Sequence, residues 1–168
     1  LNVICFPEGL QQDNMDSFFT ANGGLDAFIE ECDDLPIKVH SRVKARKRQI
    51  PVLMEASDNC LVDIERFDLE PQRPLLHGIM DEEVIKTVDS LKTFEEKLGL
   101  MAKIVDINNI SARMQSSLPE IGKSLRTWPQ LASDVTYGGG IMAKFVRQLL
   151  LGEVLNSGRY YFEVESGR

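Results

Sequence analysis

The stretch Glu30-Glu31-Cys32-Asp33-Asp34 puts four carboxylates and a thiol into five consecutive residues. Carboxylates grouped in this way serve one of two ends. At the carboxyl end of a parallel strand they occupy the place where open α/β sheets bind ligands and Mg²⁺. Ahead of a helix they compensate the positive end of its dipole, worth about 0.3–1 kcal/mol. The residue types leave both readings open. Further along, Gly138-Gly139-Gly140 would suit a phosphate-cradling loop if the glycines joined a strand to the start of a helix. The residues from Pro129 to Tyr137 already carry a helical pattern, so these are expected to be packing glycines inside a helix. Pro119–Ser124 ends in Gly-Lys-Ser, yet Ser117 stands where a phosphate loop needs glycine and no strand precedes it, so the match is fortuitous.

The remaining chemistry-bearing residues are sparse. Cys5, Cys32 and Cys60 fall near the ends of successive candidate strands, but no C-x-x-C pair occurs and His40 and His77 lack ligand-like spacing. Buried, reduced thiols in a cytoplasmic protein are expected, with no zinc. Six Lys and Arg residues lie between Lys38 and Arg48, and Lys38, Arg42 and Arg46 recur at helical spacing. That pattern reads as a solvated basic face offsetting the acids before it.

The elements that must position these residues alternate in type. Asn2–Phe6 reads as a short buried strand, Asp13–Ala21 as a helix closed by Asn22-Gly23-Gly24, and Leu25–Glu31 as a second strand. A basic helix with a proline in its first turn follows, then Ile50–Met54 as a strand. Leu61–Phe67 alternates apolar and charged residues, which predicts a half-exposed strand. Asp81–Val105 is mostly helical with a break near Gly99, and Ser111–Leu125 forms short helices. Pro129–Leu151 makes one long helix and Arg159–Glu165 a last strand. Alternating strands and helices predict an α/β layered domain.

The bulk properties narrow the class. The 168 residues suit one domain over 1–168 with no internal linker, and 43% hydrophobic with 27% charged residues is an ordinary globular composition. A net charge of −7 argues against nucleic-acid binding. No apolar run approaches the roughly 20 residues needed to span a bilayer, so no membrane partner is expected. The first residues lack both an initiator Met and a basic-then-apolar leader, so we expect a domain boundary inside a longer protein.

Three stretches together resemble the later two-thirds of a ThiF/MoeB/HesA-type domain, the bacterial relative of ubiquitin-activating enzymes. They are Asn2–Phe19, Leu25–Met54 and Trp128–Glu165, the last containing "LLGE". The resemblance implies a partial, Rossmann-like three-layer domain, a mixed sheet with helices on both faces. It further implies an ATP-dependent adenylyltransferase using Mg-ATP on a carboxylate, either a small acid or the C-terminus of a ubiquitin-like sulfur carrier, in a homodimer. By the family's D-x-x-D-N segment, Asp34 would assist Mg-ATP binding and adenylation, with Glu31 replacing the first acid and Leu35 the Asn. Lys38 matches a frequent basic position and Asn14 the Asn of the earlier helix, so both would help bind the cofactor. The family's Gly-rich nucleotide loop corresponds to residues ahead of Leu1, and its zinc cysteines have no counterpart here.

Val62–Gly78 resembles a subgroup found in larger bacterial proteins, some joined to a nitroreductase-like flavin domain. Two rivals to adenylation therefore stand: a non-catalytic scaffold or dimerisation domain, and a redox role beside a flavin domain.

Overall fold

The structure is a computed structural model and describes residues 2–162. Helix α1 (Met15–Thr20) ends in a turn where Asn22, Gly23 and Gly24 all take positive φ, as the Asn-Gly-Gly sequence requires. Strand β1 (Phe28–Ile29) leads through the acidic segment into α2 (Leu35–Lys47). Strands β2 (Val52–Ala56) and β3 (Leu61–Glu65) form a hairpin. Four helices follow: α3 (Glu82–Thr87), α4 (Phe94–Ile104), α5 (Ala112–Ser117) and α6 (Ala132–Leu150). Strand β4 (Gly158–Tyr161) completes a sheet of order β1-β2-β3-β4. Only β1–β2 is parallel, so the domain is α/β with a mixed sheet.

Strand alternation divides the core into two. Val52 and Met54 of β2 pack with Phe19 of α1, Leu35, Val39 and Ala45 of α2, and Ile104 of α4. Leu53, between them, turns to the opposite face and meets Val62 and Ile64 of β3 with Ile141 and Met142 of α6. Helices thus cover both faces, and α6 stands alone on the second.

Several expectations need correction. Of the three thiols expected to be buried only Cys60 is, while Cys5 is exposed and Cys32 half-buried. Asn2–Phe6 forms no strand: Val3 and Ile4 are 79% and 55% exposed, and only Phe6 is anchored, edge-on against Phe18. An apolar run becomes a strand only with a neighbouring ladder to join, and this segment joins none among the described residues. The second strand is Phe28–Ile29 rather than Leu25–Glu31, because only those residues pair with β2.

Strand β3 is buried along its whole length instead of half-exposed. Its charged positions, Asp63 and Glu65, face counter-charges rather than water. The break expected near Gly99 falls instead at residues 91–93. There Thr93 caps α4, its hydroxyl accepting from the Glu96 amide at 3.2 Å while the Glu96 carboxylate accepts from the Thr93 amide at 2.9 Å. Gly99 sits inside α4. The long helix agrees with expectation but starts at Ala132 rather than Pro129. Of its three expected packing glycines, Gly138 meets Glu55, while Gly139 and Gly140 have open space beside them. A last strand at Arg159 also agrees, its expected residues 163–165 lying outside the described ones.

Candidate functional site

Two charged assemblies flank the parallel β1–β2 pair. The first lies between α2 and the sheet. Lys38 and Arg42, one turn apart on α2, both reach Glu30 just past β1. Lys38 Nζ donates to Glu30 Oε2 at 2.7 Å, and Arg42 Nη1 pairs with the same oxygen. Arg42 is wholly buried, and its Nε donates to Glu65 Oε2 at 3.1 Å. The Leu76 amide donates to Glu65 Oε1 at 2.6 Å. Asp63, two residues before Glu65 and so on the same face, lies 3.1 Å from His77 Nε2 and 3.2 Å from Arg159 Nε. Arg159 is its direct cross-strand partner on β4.

The environment sets the protonation of these groups. Burial pushes Glu30 up, but Arg42 and Lys38 outweigh it and hold the carboxyl below its usual range. Burial raises Glu65 above its ordinary value, with Asp63 adding to it, despite Arg42. The network fixes α2 on the sheet, and its centre, Glu30, Arg42, Asp63 and Glu65, is buried, which suits an architectural role.

The second assembly lies at the carboxyl ends of β1 and β2. Glu31 Oε1 accepts from the Glu55 amide at 2.9 Å and ties the two strand ends together. The Glu55 side chain runs beneath α6, where a Cβ added to Gly138 would fall 2.3 Å from Glu55 Oε1. Only glycine leaves room for the carboxyl. Glu55 Oε1 is buried with no hydrogen-bond partner among the described residues. Burial, then the charges of Glu31 and Asp134, push Glu55 up to about 7. Burial, with Glu30 beside it, also pushes Glu31 up to about 7 against the Glu55 amide, Lys38 and Arg42. Glu31 is exposed as a residue, so solvent screens it, whereas Glu55 is half-buried.

Cys60 is buried at the end of the β2–β3 connection, its thiol donating to the Asp134 carbonyl at 3.6 Å. Burial and the charges of Glu55, Asp134 and Asp58 push it up to about 11, so it is no nucleophile at neutral pH. A cleft of about 60 Å³ opens beside Asp134, with Ser57, Asp58, Ser111, Arg113 and Gln130 among its walls. Asp58 accepts from both the amide and the hydroxyl of Ser111 at 2.6 Å, joining the β2–β3 turn to α5. The cleft has room for a few waters or a small polar group.

The sequence-based site residues take local roles. Asp34 is the N-cap of α2, its Oδ1 accepting from the Ile37 amide at 2.9 Å, and it is exposed. Lys38 is committed to Glu30 and lies 3.5 Å from Met54 Sδ. Asn14 has both ends of its amide in use, accepting from the Gln11 amide and donating to the Gly9 carbonyl, each at 2.8 Å. Asp34 and Lys38 share the first turns of α2, whereas Asn14 belongs to the loop entering α1. Among the described residues, no group of three or more His, Cys, Asp or Glu side chains is placed to hold a metal ion.

Sequence reasoning missed Arg42, Asp63 and Glu65 as a structural core of charge, and Glu55 as the carboxyl beneath α6. The signal was present in the i, i+2 acids of a strand whose other residues are apolar, and in the i, i+4 cations of the helix before it.

No family model matches this chain, and no solved structure matches it. It is 42% identical over 166 residues to the uncharacterized protein MT1398 of Mycobacterium tuberculosis (strain CDC 1551 / Oshkosh). The match takes in 99% of this chain and 23% of that protein, so the chain spans about a quarter of its relative's length. Among the described residues no helix is long and apolar enough to cross a membrane.

Proposed function

We propose that the chain is the later part of a Rossmann-like, ThiF/MoeB/HesA-type adenylating domain within a longer protein, one that activates a carboxylate with Mg-ATP. The observation that carries this reading is the position of Asp34. It lies in an acidic segment that leaves the parallel strand β1 and enters α2, the region where open α/β sheets take ligands. Its Oδ1 caps the helix, and its exposure leaves the carboxylate accessible to a cation. Mg²⁺ is commonly held by one or two carboxylates together with substrate phosphates, so a single Asp fits. Lys38 and Asn14 do not fit as phosphate ligands in this conformation, since their side chains are spent on Glu30 and on the Gly9–Gln11 loop. Mg-ATP, when bound, supplies the α-phosphorus that a substrate carboxylate attacks. The part left to this chain is to hold the cation with Asp34 and to fix that carboxylate rigidly at the helix start.

The test is ATP–pyrophosphate exchange on the full-length protein, supplied with small acids and with a ubiquitin-like sulfur carrier ending in glycine. Asn caps a helix as well as Asp does, so Asp34→Asn keeps the fold and removes the charge. Exchange should fall about 100-fold or more in Asp34→Asn, as for loss of one transition-state stabiliser. Full exchange in that variant rules the assignment out.

A second reading, a scaffold or dimerisation domain, is favoured by the edge strand β1, which among the described residues pairs only with β2 and carries Ile29 47% exposed. On that reading no carboxylate supports exchange, and light scattering gives twice the monomer mass.

A further inference from the structure

Helix α6 is anchored unevenly. From Ile141 onward, Ile141 and Met142 are buried, and Phe145, Val146 and Leu149 pack with them against Leu53, Val62 and Ile64. Ahead of Gly138, every residue of the helix but half-buried Asp134 is exposed, with Val135 and Tyr137 at 42% and 44%. Leu131 provides no side-chain cap at the N-terminus. What holds these first turns includes the Cys60 thiol on the Asp134 carbonyl and the close approach of Gly138 to the Glu55 carboxyl. Between the two halves lie three consecutive glycines, each costing about 1 kcal/mol of helix stability relative to alanine. Gly139 and Gly140 have nothing within 4 Å of where a Cβ would stand, so packing does not require them.

We propose that Gly138–Gly140 form a hinge in α6, and that ionisation of Glu55 releases Ala132–Tyr137 from the sheet and opens the cleft beside Asp134. The geometry supplies the cause. The carboxyl sits at a helix–sheet interface with Oε1 buried and without a hydrogen-bond partner among the described residues. A negative charge there is desolvated. The groups facing it are Glu31 at the end of β1, with the Glu30–Lys38–Arg42 cluster behind, and Asp134 on α6. Asp58 and Cys60 come from the β2–β3 turn, and Arg113 on α5 lines the cleft with Asp134. The charges acting most on Glu55, those of Glu31 and Asp134, are both negative.

The sign follows from the direction of the perturbation. Glu55 is raised above the ordinary carboxylate value, so the docking is full below about 4.5 and is lost as the pH rises through about 7. Local opening of this kind leaves the rest of the core folded.

Hydrogen exchange followed by mass spectrometry on the full 168-residue chain, from pH 5.5 to 8.5 and corrected for the intrinsic rate, tests the hinge. Residues 132–140 should lose about tenfold or more protection between pH 5.5 and about 7.5 and little more beyond, as for a carboxyl raised from its ordinary value to about 7, while 141–150 keep theirs. Glu55→Gln should abolish the pH dependence, and Gly139→Ala/Gly140→Ala should retain protection at pH 8.5. Protection of 132–140 that is constant with pH in the wild type overturns the proposal, as does Glu55→Gln following the wild-type profile. If Glu55→Gln does not fold, the wild type and the double alanine variant decide. Loss of protection in that double variant equal to the wild type's counts against the hinge.

Discussion

Arg42 offers the sharpest test of how this fold is held. Its guanidinium is fully buried and joins Glu30, itself buried, to Glu65, also buried. Arg42→Met keeps most of the stem's volume and removes the charge. Both carboxyls then lose their shared cation, and Lys38 remains only for Glu30. Removing one partner of a buried ion pair costs about 3–5 kcal/mol, a large part of the roughly 5–15 kcal/mol that stabilises a domain. The cost must depend on pH. Glu65 is already raised by burial, and without Arg42 it rises further. Its neutral form is tolerated, so its favourable contribution is complete below the ordinary carboxylate range and is lost as the pH climbs above it. Urea unfolding of wild type and Arg42→Met at pH 5.5 and pH 8 should give the full loss at pH 8 and a clearly smaller one at pH 5.5. Adding Glu65→Gln to Arg42→Met should recover part of the pH 8 loss. A loss below about 1 kcal/mol at pH 8, or one equal at both pH values, would refute the reasoning.

The glycines of α6 should separate by context. Gly138→Ala places a methyl group against the Glu55 carboxyl and should cost about 1–3 kcal/mol in thermal unfolding, whereas Gly139→Ala should gain up to about 1 kcal/mol. Equal effects at the two positions would mean that Gly138 has no packing role. Among the thiols, exposed Cys5 should react first with an aromatic disulfide reagent in the native state, and buried Cys60, pushed up to about 11, should react only on unfolding. Fast labelling of Cys60 in the folded chain would contradict its placement.

Much of the architecture was legible because local signals agree with one another. Asp34 and Pro36 opened α2, Arg46, Lys47 and Arg48 closed it, and both ends match the structure. The apolar run Ile50–Met54 became β2, shifted two residues on to Val52–Ala56, and the glycine-bearing run became α6. The failures share a cause. Asn2–Phe6 has the composition of a strand, but pairing is a tertiary property that no window of residues contains. The Gly99 break failed because the Thr93 capping box starts α4 earlier and the helix tolerates one exposed glycine.

Strand β3 carries the deeper lesson. Its Leu-Val-Asp-Ile-Glu alternation does mark two faces, but the inference that the charged face meets water assumes that no cations wait beneath it. Lys38 and Arg42 were visible at helical spacing and read as solvated, because −7 net charge makes a basic face look like compensation for nearby acids. They are compensation, but for acids inside the fold. The same fact bears on function. With Lys38 committed to Glu30, the exposed acids at the strand ends present a surface that attracts positive charge. If Asp34 serves a nucleotide, then, the positive groups that hold its phosphates are others than Lys38.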